Sequence, residues 1–256
     1  MSSRLPSVDL HAHIDVAIAA SELTQLPGIV FAASRTLTES QAAVQRRDPR
    51  VVWGAGCHPG LARNHTTFDV AIFEELVDRT AYVSEIGLDG SAKVGLPRQI
   101  PTFQAILDIL QRHPRITSIH SHGANDEVLA ALTERPIRGA ILHWWLGTPA
   151  QTRTAVDLGC YFSLNASSIK RIGSIGHIPQ DRVLTETDHP FGDRTSQQPR
   201  MPGNTNSVET SLAVHYGTTP AQMRAILWQN LSRLTSEASC AALLSRGILT
   251  HLAAAG

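Results

Sequence analysis

Two histidines one residue apart, His11 and His13, close the first apolar run of the chain, VDLHAHIDV. Side chains alternate faces along a β-strand, so residues two apart share a face. Asp9, His11 and His13 are therefore expected together on one side of a strand, where two imidazoles can chelate a metal ion. Other polar residues close later apolar runs: His58 in GCHPG, Glu85 in SEIGLD, His120 in IHSHG, His143 in ILHWW and Asp188 in TETDHP. His11, His13, His120 and His143 with the carboxylates of Glu85 and Asp188 make a nitrogen and oxygen donor set without a thiolate. Such a set is large enough for two divalent ions and suits Zn, Mn or Mg better than Cu(I) or an iron–sulfur cluster. Glu85 stands out because a carboxylate inside an apolar strand is costly to bury without a partner.

The elements that must position these residues repeat along the chain. Strands are expected within 7–14, 27–34, 50–57, 81–88, 116–123, 139–146, 159–166 and 182–189. Amphipathic stretches lie between them. LTESQAAVQRR has Thr36 or Thr38 as its cap, and 67–75 shows helical rather than alternating spacing. LPRQIPTFQAILDILQRH has Pro101 near a helix start. Eight strands with intervening helices read as an α/β protein, a (β/α)8 TIM barrel, with extra C-terminal helices after residue 206. The whole of 1–256 reads as one domain. In such a barrel the C-terminal strand ends converge on one mouth, which would gather the candidate ligands. The polar segment 191–206 is expected to be a long loop over that mouth.

The chain has 22 basic and 22 acidic residues, so no global positive field collects nucleic acid. Cys57, Cys160 and Cys240 are scattered and form no Cys-x-x-Cys pair, which argues against a disulfide framework or a zinc ribbon. The first residues lack the apolar core of a secretory signal, and no apolar run approaches the ~20 residues of a membrane span. A cytoplasmic location without membrane association is expected.

The ordered set DLHAH, GCHPG, EIGLD, IHSH, ILHWW and ETDHP resembles the TatD family of metal-dependent hydrolases, a branch of the amidohydrolase superfamily. The resemblance runs from about residue 8 to 190, and WQNLSRL is similar to the family's closing Asn-x-x-x-Leu element. It implies that His11, His13 and Asp188 hold one divalent ion, that His120 and His143 hold a second, and that Glu85 bridges them. His58 would face the substrate phosphate, and Glu186 would orient a ligand. Two ions roughly 3.5–4 Å apart can lower the pKa of a shared water and polarise the bond under attack, with Asp188 placed to take the proton. The activity implied is hydrolysis of DNA phosphodiesters from an end, the substrate being single-stranded DNA or a duplex end.

The chain departs from the family pattern at three places. His122 stands where an arginine is common, and an arginine clamps phosphate with two parallel hydrogen bonds. Gly90 and Ser91 follow EIGLD in place of an aromatic residue. Trp144 and Trp145 follow His143. Trp144 or Trp145 could stack a base, though alternation sends one of them to the core. Arg194 or Arg200 could replace the missing clamp. Two other readings stay open. One is a nuclease subunit with protein partners in a multi-protein anti-phage defence system. The other is an amidohydrolase-type enzyme acting on an amide, lactone or other ester.

Overall fold

The computed structural model describes residues 5–171, 173, 177–192 and 201–255. Each window expected to hold a strand does so: β1 Ser7–Ala12, β2 Gly28–Ala32, β3 Val51–Trp53, β4 Tyr82–Gly87, β5 Ile116–His120, β6 Ala140–His143, β7 Tyr161–Leu164 and β8 Val183–Thr185. All pair in parallel and in chain order, as a β1–β3 ribbon and a β4–β8 ribbon. A bridge between Ala55 and Val83 joins the ribbons on one side. On the other side Thr185 Oγ1 donates to the Val8 carbonyl at 2.7 Å. These seams close the (β/α)8 barrel. The observed strands are shorter than their windows because the chain leaves the sheet at the mouth, where several site residues sit.

The helices follow from local chemistry. Thr36 caps Leu37–Ala43 by accepting from Glu39 N. Thr148 and Thr219 form reciprocal capping boxes with Gln151 and Gln222. The helix expected over 67–75 runs Val70–Asp78 with Asp69 as cap. Pro101 lies inside the helix Leu96–Arg112, not at its start. Pro97 takes the first-turn place, where a missing N–H costs nothing.

Three C-terminal helices, Asn206–His215, Pro220–Glu237 and Arg246–Ala255, extend the barrel. In WQNLSRL, Trp228 Nε1 donates to the Pro6 carbonyl at 2.8 Å. Asn230 Nδ2 donates to the carbonyls of Gln180 and Val183 at 2.9 and 2.8 Å. That motif therefore ties the last strand and the chain entry to a helix. The three cysteines are free and buried. Among the described residues no helix is long and apolar enough to cross a membrane.

Of the tryptophan pair, Trp145 is fully buried, with its ring 5.8 Å from Phe162 and its Nε1 donating to Thr152 Oγ1 at 2.8 Å. Trp144 is half-buried, at φ 42°. Trp145→Ala is expected to cost about 3–5 kcal/mol, the range for emptying a large core aromatic site. Urea denaturation should show a lower midpoint, and an unchanged midpoint would place Trp145 outside the core.

Candidate metal centre

The exit of β1 is laced to the segment after β8. Asp188 N donates to the His11 carbonyl at 2.8 Å, and His13 N donates to the His189 carbonyl at 2.9 Å. This brings His11, His13 and Asp188 together although most of the chain separates them. Asp9 does not join them, contrary to simple alternation. The β1–β2 register is irregular between Asp9 and Ala12, which breaks the period of two. Asp9 turns to the barrel seam instead. Its Oδ1 accepts from Thr187 N at 2.8 Å and His11 N at 3.3 Å. Its Oδ2 accepts from Thr187 Oγ1 at 2.6 Å and Gly203 N at 2.8 Å. Burial pushes its carboxyl up to about 7 against the pull of these donors.

Glu85, on β4 and 3% exposed, lies at the centre with one oxygen toward each group of imidazoles. Oε1 is 3.0 Å from His120 Nδ1, 3.4 Å from His143 Nε2 and 3.4 Å from His58 Nε2. Oε2 is 3.4 Å from His13 Nε2 and 4.0 Å from His11 Nε2. Asp188 Oδ1 adds to the second side, 3.5 and 3.9 Å from the same two nitrogens. The rings of His11 and His143 stack across the middle, with centroids 4.1 Å apart and planes 3° from parallel.

The outer nitrogens of these histidines face other polar groups. His11 Nδ1 is 2.7 Å from Ser118 Oγ, which leaves Nε2 toward the centre. His120 Nε2 lies 3.5 Å from Asp89 Oδ2, and His143 Nδ1 lies 3.8 Å from Glu186 Oε1. Glu186 is itself fixed: Oε1 accepts from Trp144 N at 3.0 Å and Asn165 Nδ2 at 2.9 Å, and Oε2 accepts from Ser163 Oγ. Carboxylates and hydroxyls behind imidazoles set ring orientation and tautomer.

His58 differs in one respect. Gly60 N donates to its Nδ1 at 2.9 Å, so the proton of the neutral ring sits on Nε2. Burial lowers its pKa, against the pull of Glu85, and favours that neutral ring. His58 thus presents an N–H donor to the site, whereas a metal ligand presents a lone pair.

The electrostatics divide along the same line. Burial and the neighbouring His143 hold the His11 pKa well below the usual imidazole range. Burial also acts to lower His143, but Glu186 and Glu85 hold it well above that range. His120 is likewise raised by Asp89 and Glu85 against burial. His13 is raised by Asp188 and Glu85 against burial. Glu85 stays well below the carboxylate range despite burial, because His120 and His143 donate to it.

A cation would resolve what the protein atoms leave open. His11 Nε2 and Glu85 Oε2 are buried without a hydrogen-bond partner, a costly state for polar atoms. The ligand atoms of His11, His13 and Asp188 lie within 4.8 Å of one another, as do those of His11, Glu85 and His143; His58, Glu85 and His120 are as close, but there His58 offers an N–H in place of a lone pair. The donor set fits hard or borderline divalent ions.

The other candidates are distributed as follows. Trp144 stands at the exit of β6 beside His143, and His122 is exposed past β5. Arg194 and Arg200 lie outside the described residues. Sequence reading missed Phe191, 47% exposed, whose ring lies 5.6 Å from His13. It also missed Asn64, a buried side chain whose Nδ2 spans the carbonyls of Arg35 and His58 at 2.8 and 2.9 Å. No spacing rule connects Phe191 with His13 or Asn64 with Arg35.

Comparison with known proteins bears on this arrangement. Residues 8–236 match the family described as TatD related DNase. The 3'-5' ssDNA/RNA exonuclease TatD of Erwinia billingiae is 26% identical over 194 residues, covering 71% of this chain and 74% of that protein. Its namesake from Edwardsiella piscicida is 28% identical over 190 residues, covering 68% and 72%. The crystal structure of a TatD homologue from Escherichia coli k12 superposes with a TM-score of 0.76 at 21% identity, covering 91% of this chain and 98% of that one. At that identity the likeness speaks for the fold.

Proposed function

The chain belongs to the family of TatD-related DNases, metal-dependent hydrolases of phosphodiester bonds, and from that premise we propose that it removes nucleotides from the 3' end of single-stranded DNA using two divalent ions. The observation that carries the two-ion reading is the division of Glu85, one oxygen toward His120 and His143 and the other toward His11, His13 and Asp188. The end and strand preference are supported by the names of the exonuclease relatives.

On this reading His11, His13 and Asp188 would hold one ion, His120 and His143 would hold the other, and Glu85 would serve both. Such ions would supply Lewis acidity, lowering the pKa of an attacking water and stabilising charge on the phosphate oxygens. Asp188 would take up the proton that water gives up. His58 donates its Nε2–H to a phosphate oxygen, the use its Gly60 contact prepares. Glu186 and Asp89 steady the rings of His143 and His120. Trp144 and His122 line the approach of the strand.

The test is degradation of single-stranded oligonucleotides labelled at either end, with Mn or Mg supplied. Stepwise loss from the 3' end is expected. Hydrolysis of lactones or dipeptides with intact DNA would overturn the reading.

A pH dependence follows from the charges. Without metal, the raised pKa values keep His120 and His143 protonated to higher pH than an isolated imidazole. Metal must displace those protons, so affinity for the second ion rises with pH, by about tenfold per unit for each proton displaced. The rise levels off once both rings are neutral without metal. Calorimetric titration in buffers of different ionisation heat measures the released protons. An affinity independent of pH would contradict the assignment of these two ligands.

A further inference from the structure

Arg35 follows β2, the strand beside the one that carries His11. Its backbone is held on both sides. Its N–H donates to Glu39 Oε2 at 2.7 Å, and its carbonyl accepts from His58 N at 2.9 Å and from Asn64 Nδ2 at 2.8 Å. Ser34, one residue earlier, accepts from Glu85 N at 3.2 Å. The peptide of Arg35 is thereby tied to His58, and the carbonyl before it to Glu85. Arg35 itself is exposed, and among the described residues its guanidinium has neither a carboxylate nor a carbonyl partner. A fixed backbone with an uncommitted cation is an arrangement that a substrate anion can complete.

Among the described residues, permanent cations at the mouth are few. In the described segments that lead directly from a strand into the next helix, the permanent cations are Arg35 and Lys93. The chain as a whole is neutral, so a polyanion must be held by cations local to the mouth. A planar guanidinium suits this task because it can meet a phosphate with two parallel N–H donors.

We propose that Arg35 binds a phosphate of the single strand next to the one being cut, fixing the strand across the rim beside His58. Its exposure at the rim, in contrast to the burial of Glu85, favours the neighbouring phosphate over the scissile one. The proposal rests on the nucleic-acid reading given above and adds the residue that holds the strand.

The test compares wild type, Arg35→Ala and Arg35→Lys on a ten-nucleotide single strand and on a dinucleotide, which contains the cleaved phosphate alone. For Arg35→Ala, KM on the longer strand is expected to rise about five- to tenfold, and the log–log salt dependence of binding to weaken by about 0.7. On the dinucleotide the loss should stay under about twofold. Arg35→Lys should recover part of the loss, since it keeps the charge and loses the paired donors. Metal content and melting temperature close to wild type would show that the effect is not a collapse of the site. Equal KM and salt slope in wild type and Arg35→Ala would overturn the proposal while leaving the nuclease reading in place. Equal losses on both substrates would also overturn it, by moving Arg35 to the scissile phosphate. A metal-loaded wild type that cuts neither substrate would overturn the nuclease reading and this proposal together.

Discussion

In Glu85→Gln, bound metal is expected to fall from about two ions per chain toward one, and phosphodiester hydrolysis by about 10³-fold or more. Both carboxylate oxygens of Glu85 face imidazole nitrogens, and their shared negative charge is what each ion would meet. The glutamine amide is neutral, and its NH2 would point hydrogens into one of the two ligand groups. It can donate to an imidazole lone pair there, so the fold should survive the change. Elemental analysis after dialysis, alongside an oligonucleotide assay, reads both effects. Two tightly held ions with unchanged activity would show that Glu85 does not bridge.

Asp188→Asn is expected to behave differently. It should retain a substantial share of the metal, because His11 and His13 remain and the amide oxygen can still ligate. Turnover should fall by about 10²–10⁴-fold, the usual worth of a positioned general base. Asparagine suits this test for a backbone reason. Asp188 sits at φ 45°, in the left-handed region, which Asn and Asp enter more readily than other residues with a side chain. The substitution therefore removes the proton acceptor without straining the turn. Near-normal turnover in Asp188→Asn would move the proton acceptor elsewhere, with His58 or His122 as the next candidates.

Much of the site was legible in the sequence because its chemistry lies in residue types at strand ends. His11, His13, Glu85, His120, His143 and Asp188 each close an apolar run or interrupt one, and parallel strands in chain order carry such ends to one mouth. What was not legible depends on contacts between distant residues. Asp9 was expected beside His11, yet its carboxylate closes the seam to Thr187 and Gly203, 178 and 194 residues away. Ser118 sets the ring of His11 from 107 residues away, and nothing in ITSIH marks that serine. The tautomer of His58 is set by a backbone N–H two residues on, a local contact that needs the turn geometry to be seen. Alternation did foresee that one of Trp144 and Trp145 would enter the core. Arg35 was invisible as a lone arginine in a neutral chain until its backbone contacts placed it beside His58.

The division of Glu85 between two ions is the central claim. Anomalous diffraction from crystals soaked in Mn tests it most directly. The expected result is a pair of peaks flanking Glu85, one beside Oε1 with His120 and His143, the other beside Oε2 with His11, His13 and Asp188. A lone peak, or peaks out of reach of Glu85, would contradict it.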